Sequence, residues 1–459
     1  MSLEASEKRG KNNPPRLALM LGMGAVVLVV VLLVVLVRLY EGDLPRAELA
    51  TEVTRLGQEA ELGVIAEDEQ SGLRRVEVLL RQGPREIELL RREFPRRGWL
   101  SQAGPGEFSS EEIAIAPREL EIGDGRAELI LRVVDYSWRN WLAGNRAEEV
   151  IPVVIDTRPP AISVSRATRY VRAGGSGLVR YTVDEEVERH GVRINGVFHP
   201  GFPVVADRRG EYVAYIGLPY DTTELEETLV IAEDQAGNRG RSGFRINLRK
   251  ANWQHDKLTI PDSFLRSKLP EFGTHYPELA GSSLEQYLYV NRQVRQLNNQ
   301  KIKEVCRDSH PERLWEGGFL RMARSSRRSD FADQRTYFYD GRQIDEQVHL
   351  GVDLASVRQA EIQAANHGIV AFADYLGIYG KTVIVDHGQG VFSLYAHLSQ
   401  LASEVGQEVE RGEKLGNSGA TGMAGGDHLH FSMLINGVFV DPVEWWDRDW
   451  VDSQLTVER

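Results

Sequence analysis

Thr382-Val-Ile-Val-Asp-His-Gly-Gln-Gly-Val-Phe-Ser-Leu-Tyr-Ala-His397 decides how the last third of this chain folds. Two runs rich in β-branched and aromatic residues, 382–387 and 391–397, flank Gly388-Gln-Gly390. Glycines tolerate the backbone of a tight reversal, so the stretch reads as a β-hairpin. The same pattern returns at 428–435 and 438–440 around Asn436-Gly437, a strong hairpin signal. Between the hairpins, 409–416 and 417–422 are turn-rich. From Gln347 onward the chain therefore reads as strand-rich.

Upstream, 251–345 reads as a junction. Ser282 and Ser283, followed by Glu285 and Gln286, have capping-box spacing, and Tyr287, Val290, Val294 and Leu297 recur at helical spacing. One helix is expected from about Leu284 to Cys306. Strands resume near 335–339. Arg321, Arg324, Arg327 and Arg328 form a basic group, read either as a contact for anionic cell-wall polymer or as a solvated surface.

Residues 48–250 read as all-β with an internal repeat. Strand 129–135 ends on an aspartate, passes Gly144-Asn145 and continues as strand 150–155. Strand 229–234 does the same through Gly237-Asn238 into 244–248. The offset near one hundred residues suits a β-sandwich. The two units, 48–156 and 160–250, resemble the immunoglobulin-like repeats of bacterial surface and envelope proteins, joined at Asp156-Thr-Arg-Pro-Pro160. Asp135 and Asp234 are read as turn caps rather than calcium ligands, and His190 and His199 as isolated surface or core histidines.

Leu17 to Val37 is an uncharged apolar run. At ~1.5 Å per residue it reaches about 31 Å, enough to cross a bilayer. No small-x-small cleavage site follows, so 17–37 reads as an uncleaved signal anchor after a cytoplasmic tail at 1–16. Lys8, Arg9, Lys11 and Arg16 precede it, which orients the body outward. The chain has 459 residues, room for three domains at a prior of about 150 residues each. Its net charge of −12 argues against nucleic acid as a partner. Cys306 is the only cysteine, so no intramolecular disulfide exists, and it is read as a small buried group.

Six of the eleven histidines lie between positions 349 and 430. His428 and His430 share one face of an expected strand, about 7 Å apart, so one can bind a metal while the other stands beside it. His349 and Asp353 would be ~13 Å apart on a straight strand, and Gly351 between them allows a bend. Two histidines and one carboxylate with an open position suit a catalytic zinc site. No glutamate adjoins them, which leaves His397 or His428 as the base. His367 and His387 are read as turn supports, and Tyr395 as an oxyanion donor or a packed aromatic. Gly416 to Gly426 is read as a loop lining a groove.

His349-x3-Asp353, Tyr395-Ala-His397-Leu-Ser399 and His428-Leu-His430 together resemble the lysostaphin/LytM-type zinc metallopeptidases, peptidase family M23. The resemblance covers about 331–446. It implies that His349, Asp353 and His430 ligate one Zn2+ per chain and that His397 and His428 are catalytic. It also implies an antiparallel β domain with a narrow groove, acting on peptidoglycan cross-bridges or stem peptides. The expected fold is mainly β: a transmembrane helix, two immunoglobulin-like sandwiches, a helical junction at 251–345, a β peptidase domain at 331–446 and a tail at 447–459. The expected place is the cytoplasmic membrane, single-pass, with extracytoplasmic (periplasmic) domains that meet peptidoglycan and envelope proteins. The rival readings are a non-catalytic wall-binding or amidase-activating regulator and, last, a carrier domain, for which Lys414 lacks the context of a modifiable hairpin lysine.

Overall fold

The computed structural model describes residues 16–98, 103–204 and 210–456. The basic tail with Lys8, Arg9 and Lys11 lies outside the described residues. Strand outweighs helix, 44% to 18%, so the chain is mainly β. It divides into two compact units: Met1–Arg158 with Gln235–Asn238, and Pro159–Asp234 with Arg239–Arg459.

The first unit begins with helix α1 (Arg16–Leu39). Its segment Leu19–Val37 has mean hydropathy 3.2 and no fully buried residue, and it is long and apolar enough to cross a membrane. A β domain follows. Its five-stranded sheet runs Arg55–Leu56, Arg146–Ile155, Gly125–Asp135, Leu73–Gln82, Arg85–Glu93 in spatial order, and its three-stranded sheet runs Arg46–Leu49, Ala60–Glu67, Glu107–Ile115. Alternate residues such as Leu62, Val64, Val78, Leu80, Leu129 and Leu131 form one core.

The second unit opens with another β domain, two four-stranded sheets and a two-stranded one, around Val179, Tyr181, Val192, Ile216 and Val230. Its repeat hairpin differs from expectation. The strand after Gly237-Asn238 is Arg239–Gly243, paired antiparallel with Thr228–Asp234, while of the expected strand only Asn247 and Leu248 are in a strand, Asn247–Arg249, which pairs in parallel with Tyr170–Arg172. Arg239–Gly243 has no large apolar residue, so hydrophobic patterning misses it. Space explains its composition: a Cβ on Gly240 would stand 2.1 Å from the Pro160 carbonyl oxygen.

This β domain shares its core with the C-terminal domain. Leu178, Val213 and Tyr215 belong to the same buried cluster as Trp315, Ile435, Val440 and Trp445. Arg172 Nε meets Glu444 Oε1 at 2.9 Å, its Nη2 pairs with Asp441, and Trp445 Nε1 donates to Ser176 Oγ at 3.1 Å.

The junction helix starts where the capping box places it. Ser282 and Glu285 exchange side-chain and backbone bonds, and the helix runs Ser283–Tyr289, through a π turn at Val290–Val294, to Arg295–Val305. A helix at Asp262–His275 goes unforeseen, because Pro270 inside it argues against helix from sequence. Cys306 is buried, as expected. The strands that build the site are β1 (His255–Thr259), β2 (Ser326–Ser329), β3 (Gln334–Tyr339), β4 (Arg342–Val348), β5 (Val352–Ala355), β6 (Gly368–Tyr375), β7 (Lys381–Asp386), β8 (Val391–Leu398), β9 (Glu408–Val409), β10 (Leu429–Ile435) and β11 (Val438–Val440). The main sheet has order β2-β5-β10-β8-β7-β6-β9, with β11 also on β10, and every pair is antiparallel. β1 pairs in parallel with β3, and β3 antiparallel with β4. Both expected hairpins form: β7–β8 and β10–β11, the latter with positive φ at Asn436 (50°) and Gly437 (79°).

Candidate metal centre

The register of the main sheet assembles the site. Asp353 on β5 lies opposite His430 on β10, and His430 lies opposite Ala396 on β8, one residue before His397. His349 lies in the break between β4 and β5, held by its backbone to Ala332 and Asp333. His349 Nε2, Asp353 Oδ1 and His430 Nδ1 then converge: the separations are 2.9 Å between the two nitrogens and 3.0 Å from each nitrogen to the oxygen.

The tautomers follow from the outer bonds. His349 Nδ1 donates to the Asp330 carbonyl at 2.9 Å. Ser432 Oγ donates to the Leu350 carbonyl at 2.8 Å, so it accepts from His430 Nε2 at 3.1 Å. Each neutral imidazole has one N–H, and both are committed outward. His349 Nε2 and His430 Nδ1 therefore aim lone pairs at each other and at a carboxylate oxygen. Such a set repels itself unless a cation sits among the three atoms, and two nitrogens with one oxygen suit zinc. The donor set thus fits a metal of that class. Burial pushes the Asp353 carboxyl up, but His349, His428 and His430 outweigh it and hold it well below the usual carboxylate range. Burial pushes His430 down to about 4.

His428 does not sit within the strand as expected. β10 starts at Leu429, and His428 forms a single bridge with Gly419. Its Nδ1 donates to the Gly426 carbonyl at 2.8 Å, and its Nε2 lies 3.5 Å from Asp353 Oδ1. Burial pulls its pKa down, but the Asp353 carboxylate raises it more, and the net shift is upward. His397 Nδ1 donates to the Thr421 carbonyl at 2.9 Å, which leaves Nε2 as an acceptor. Burial and the neighbouring histidines hold its pKa well below the usual value. His397 has φ of +61°, in the left-handed region, where β8 slips register against β7. That strained backbone is what turns its ring toward His428 and His430, with ring centroids 4.9 and 5.8 Å apart.

All five histidine and aspartate positions line one cavity of about 350 Å³. Met423, Ala424 and Gly425 of the glycine-rich loop line it too, as that loop's reading expects. The rest of the lining is unforeseen: Leu258, Ile260, Pro261 and Phe264 from the junction, with Tyr379, Arg295 and Arg335. Arg335 Nη2 donates to Asp353 Oδ2 at 3.1 Å and to Ser329 Oγ at 2.9 Å. A signal existed: Arg335 shares a β3 face with buried Tyr337, an unusual place for a charge. Tyr395, by contrast, is a packed aromatic. It is buried beside Phe431, and its hydroxyl accepts from Ala365 N and shares a hydrogen bond with Ser393 Oγ. His387 is likewise structural, with Nδ1 on the His367 carbonyl at 2.6 Å and Nε2 on Ser393 Oγ at 2.7 Å. Arg321, Arg324, Arg327 and Arg328 are exposed.

Residues 347–442 match the family model for peptidase family M23. This segment is a peptidase M23 domain. It is 40% identical over 96 residues to the DD-carboxypeptidase/endopeptidase Mpg of Neisseria meningitidis serogroup B, covering 21% of this chain and 22% of that protein. The peptidoglycan DD-endopeptidase ShyC of Vibrio cholerae serotype O1 is 32% identical over 132 residues, 28% of this chain and 30% of that one. The matches span less than a third of either curated relative. Among solved structures, the catalytic domain of lysostaphin from Staphylococcus simulans is similar at 23% identity and TM-score 0.24, covering 28% of this chain and 96% of that chain.

Proposed function

We propose that the chain is a membrane-anchored zinc endopeptidase that hydrolyses peptide bonds in peptidoglycan cross-links or stem peptides. One observation carries the reading: three lone pairs from His349, Asp353 and His430 meet inside a cavity flanked by two further histidines. Zinc held there supplies a Lewis acid that acidifies water and polarises a carbonyl. His397 and His428 divide the proton work. His397 is kept neutral with a free Nε2, which suits a general base. His428 is the more readily protonated of the two, which suits stabilising an oxyanion and protonating the leaving amine. Arg335 orients Asp353 by holding Oδ2, which would leave Oδ1, beside His349 Nε2, to hold the metal. Apolar Leu258, Ile260, Phe264 and Met423 exclude water from one side of the cavity.

Helix α1 anchors the chain in the cytoplasmic membrane, with its N-terminus inside and the β domains in the periplasm. The two β domains act as immunoglobulin-like modules that carry the peptidase toward the wall and offer surfaces to envelope proteins.

The test is the full chain in detergent on cross-linked muropeptides, with products identified by mass spectrometry. Cleavage is expected, lost with chelator and restored by zinc. His397→Ala should bind zinc yet release no product. Wild-type protein that is zinc-loaded and inert would overturn the reading in favour of a non-catalytic regulator.

A further inference from the structure

The first β domain holds an acidic cluster that the peptidase chemistry does not use. Glu41 stands two residues past the end of α1, Asp68 follows the strand Ala60–Glu67, and Asp135 closes the strand Gly125–Asp135. Their exposures are 4%, 7% and 0%. One oxygen from each lies within 4.8 Å of the other two.

Turn capping accounts for much of the bonding. Asp135 Oδ1 accepts from the backbone of Ser137 at 2.9 Å and of Asn145 at 2.6 Å, and Oδ2 accepts from Asn145 Nδ2 at 2.8 Å. Asp68 Oδ1 accepts from the backbone of Gly72 at 2.6 Å and of Gln70 at 3.2 Å. Glu41 meets Ser71 and Asp135. Its Oε1 accepts from Ser71 Oγ at 2.5 Å, its Oε2 is buried with no donor beside it among the described residues, and the Glu41 and Asp135 carboxyl groups are close enough to share a proton. The charged groups that face it are Asp68 and Asp135. A buried carboxylate oxygen turned toward two more carboxylates needs a proton or a cation among them. A proton joins only two oxygens, whereas a divalent cation takes one from all three.

We propose that Glu41, Asp68 and Asp135 form a calcium-type cation site that clamps the chain leaving α1 to two loops of the first β domain. All three ligands are hard oxygens with no imidazole or thiolate, which selects calcium over zinc. The loops already converge on the segment: Ser137 Oγ donates to the Glu41 carbonyl at 3.3 Å and Asn145 Nδ2 to the Asp43 carbonyl at 3.0 Å. Bound calcium adds the missing positive charge to this knot and stabilises the folded state by mass action.

The experiment is calorimetric titration of the chelator-stripped full chain in detergent with calcium chloride, paired with thermal unfolding. One calcium per chain is expected, with Kd of roughly 10⁻⁴ M, and a rise in Tm at millimolar calcium. Glu41→Gln and, independently, Asp135→Asn should each weaken binding by roughly tenfold or more. His430→Ala should bind calcium as wild type does, which separates this site from the peptidase centre. Wild-type protein that gives no heat and no Tm shift with calcium overturns the proposal, and so does calcium binding unchanged in Glu41→Gln. Stability that responds to acidification through neutral pH but not to calcium assigns a shared proton instead and also overturns it.

Discussion

A Cβ at Gly351 would stand 2.5 Å from His430 Nε2 and 2.6 Å from Ser432 Oγ. The sequence suggests that this glycine serves a bend. Its φ is not in the left-handed region, so what it provides is room for the His430 ring. Gly351→Ala should displace His430 and break its bond to Ser432. Zinc affinity, measured by competition with a chromophoric chelator, should fall by roughly tenfold or more while circular dichroism stays unchanged. Arg335 acts one bond further out. Arg335→Met keeps the side chain's bulk but frees Asp353 Oδ2, and zinc affinity should drop by about 10- to 100-fold. Equal affinity in wild type and Arg335→Met would show that β5 alone orients the carboxylate.

The β7–β8 hairpin carries a pH-sensitive corner. His387 is buried where the hairpin turns, and burial pushes its pKa down to about 4. Its unfolded value is about 6.5. Between those values the unfolded chain binds the extra proton, so stability rises with pH. The contribution is present in full above pH ~6.5 and is lost as pH falls toward 4, with a ceiling of roughly 3 kcal/mol. His387→Asn keeps a donor for the His367 carbonyl and cannot titrate. Urea unfolding of the metal-free chain between pH 7.5 and 4.5 should show a shallower loss in this variant. Identical slopes would place the acid sensitivity elsewhere. At the same scale, the register slip at the end of β8 sets His397 in its left-handed backbone, which no periodicity in the sequence announces.

Across the second unit, the β domain and the peptidase domain form one folded body. Arg172 sits at their junction between Asp441 and Glu444. Its side chain is about a third exposed, whereas the two carboxylates are 9% and 15% exposed. Arg172→Ala leaves both acids short of a cation. After discounting for the arginine's exposure, the loss should be roughly 2 kcal/mol, read by urea unfolding. If the two domains were independent beads, the variant would unfold the β domain alone in a separate transition. A single transition at lower urea is expected.

The sequence by itself determined the mainly β class, both C-terminal hairpins, the apolar helix, the capped junction helix and the five residues that line one cavity. These are legible because period-two patterning, Asn-Gly turns, capping spacing and motif order are local. Tertiary structure decided the rest. It set which imidazole nitrogens face inward, because the Asp330 carbonyl that takes the His349 proton and the Leu350 carbonyl that orients Ser432 are brought close only by the fold. It placed Arg335 behind Asp353 and the 258–264 segment across the cavity. It also brought Glu41 to Asp68 and Asp135 from 27 and 94 residues away in sequence. Contacts between distant segments leave no periodic trace, because each partner obeys its own strand or turn and the pairing appears only once the sheets are packed.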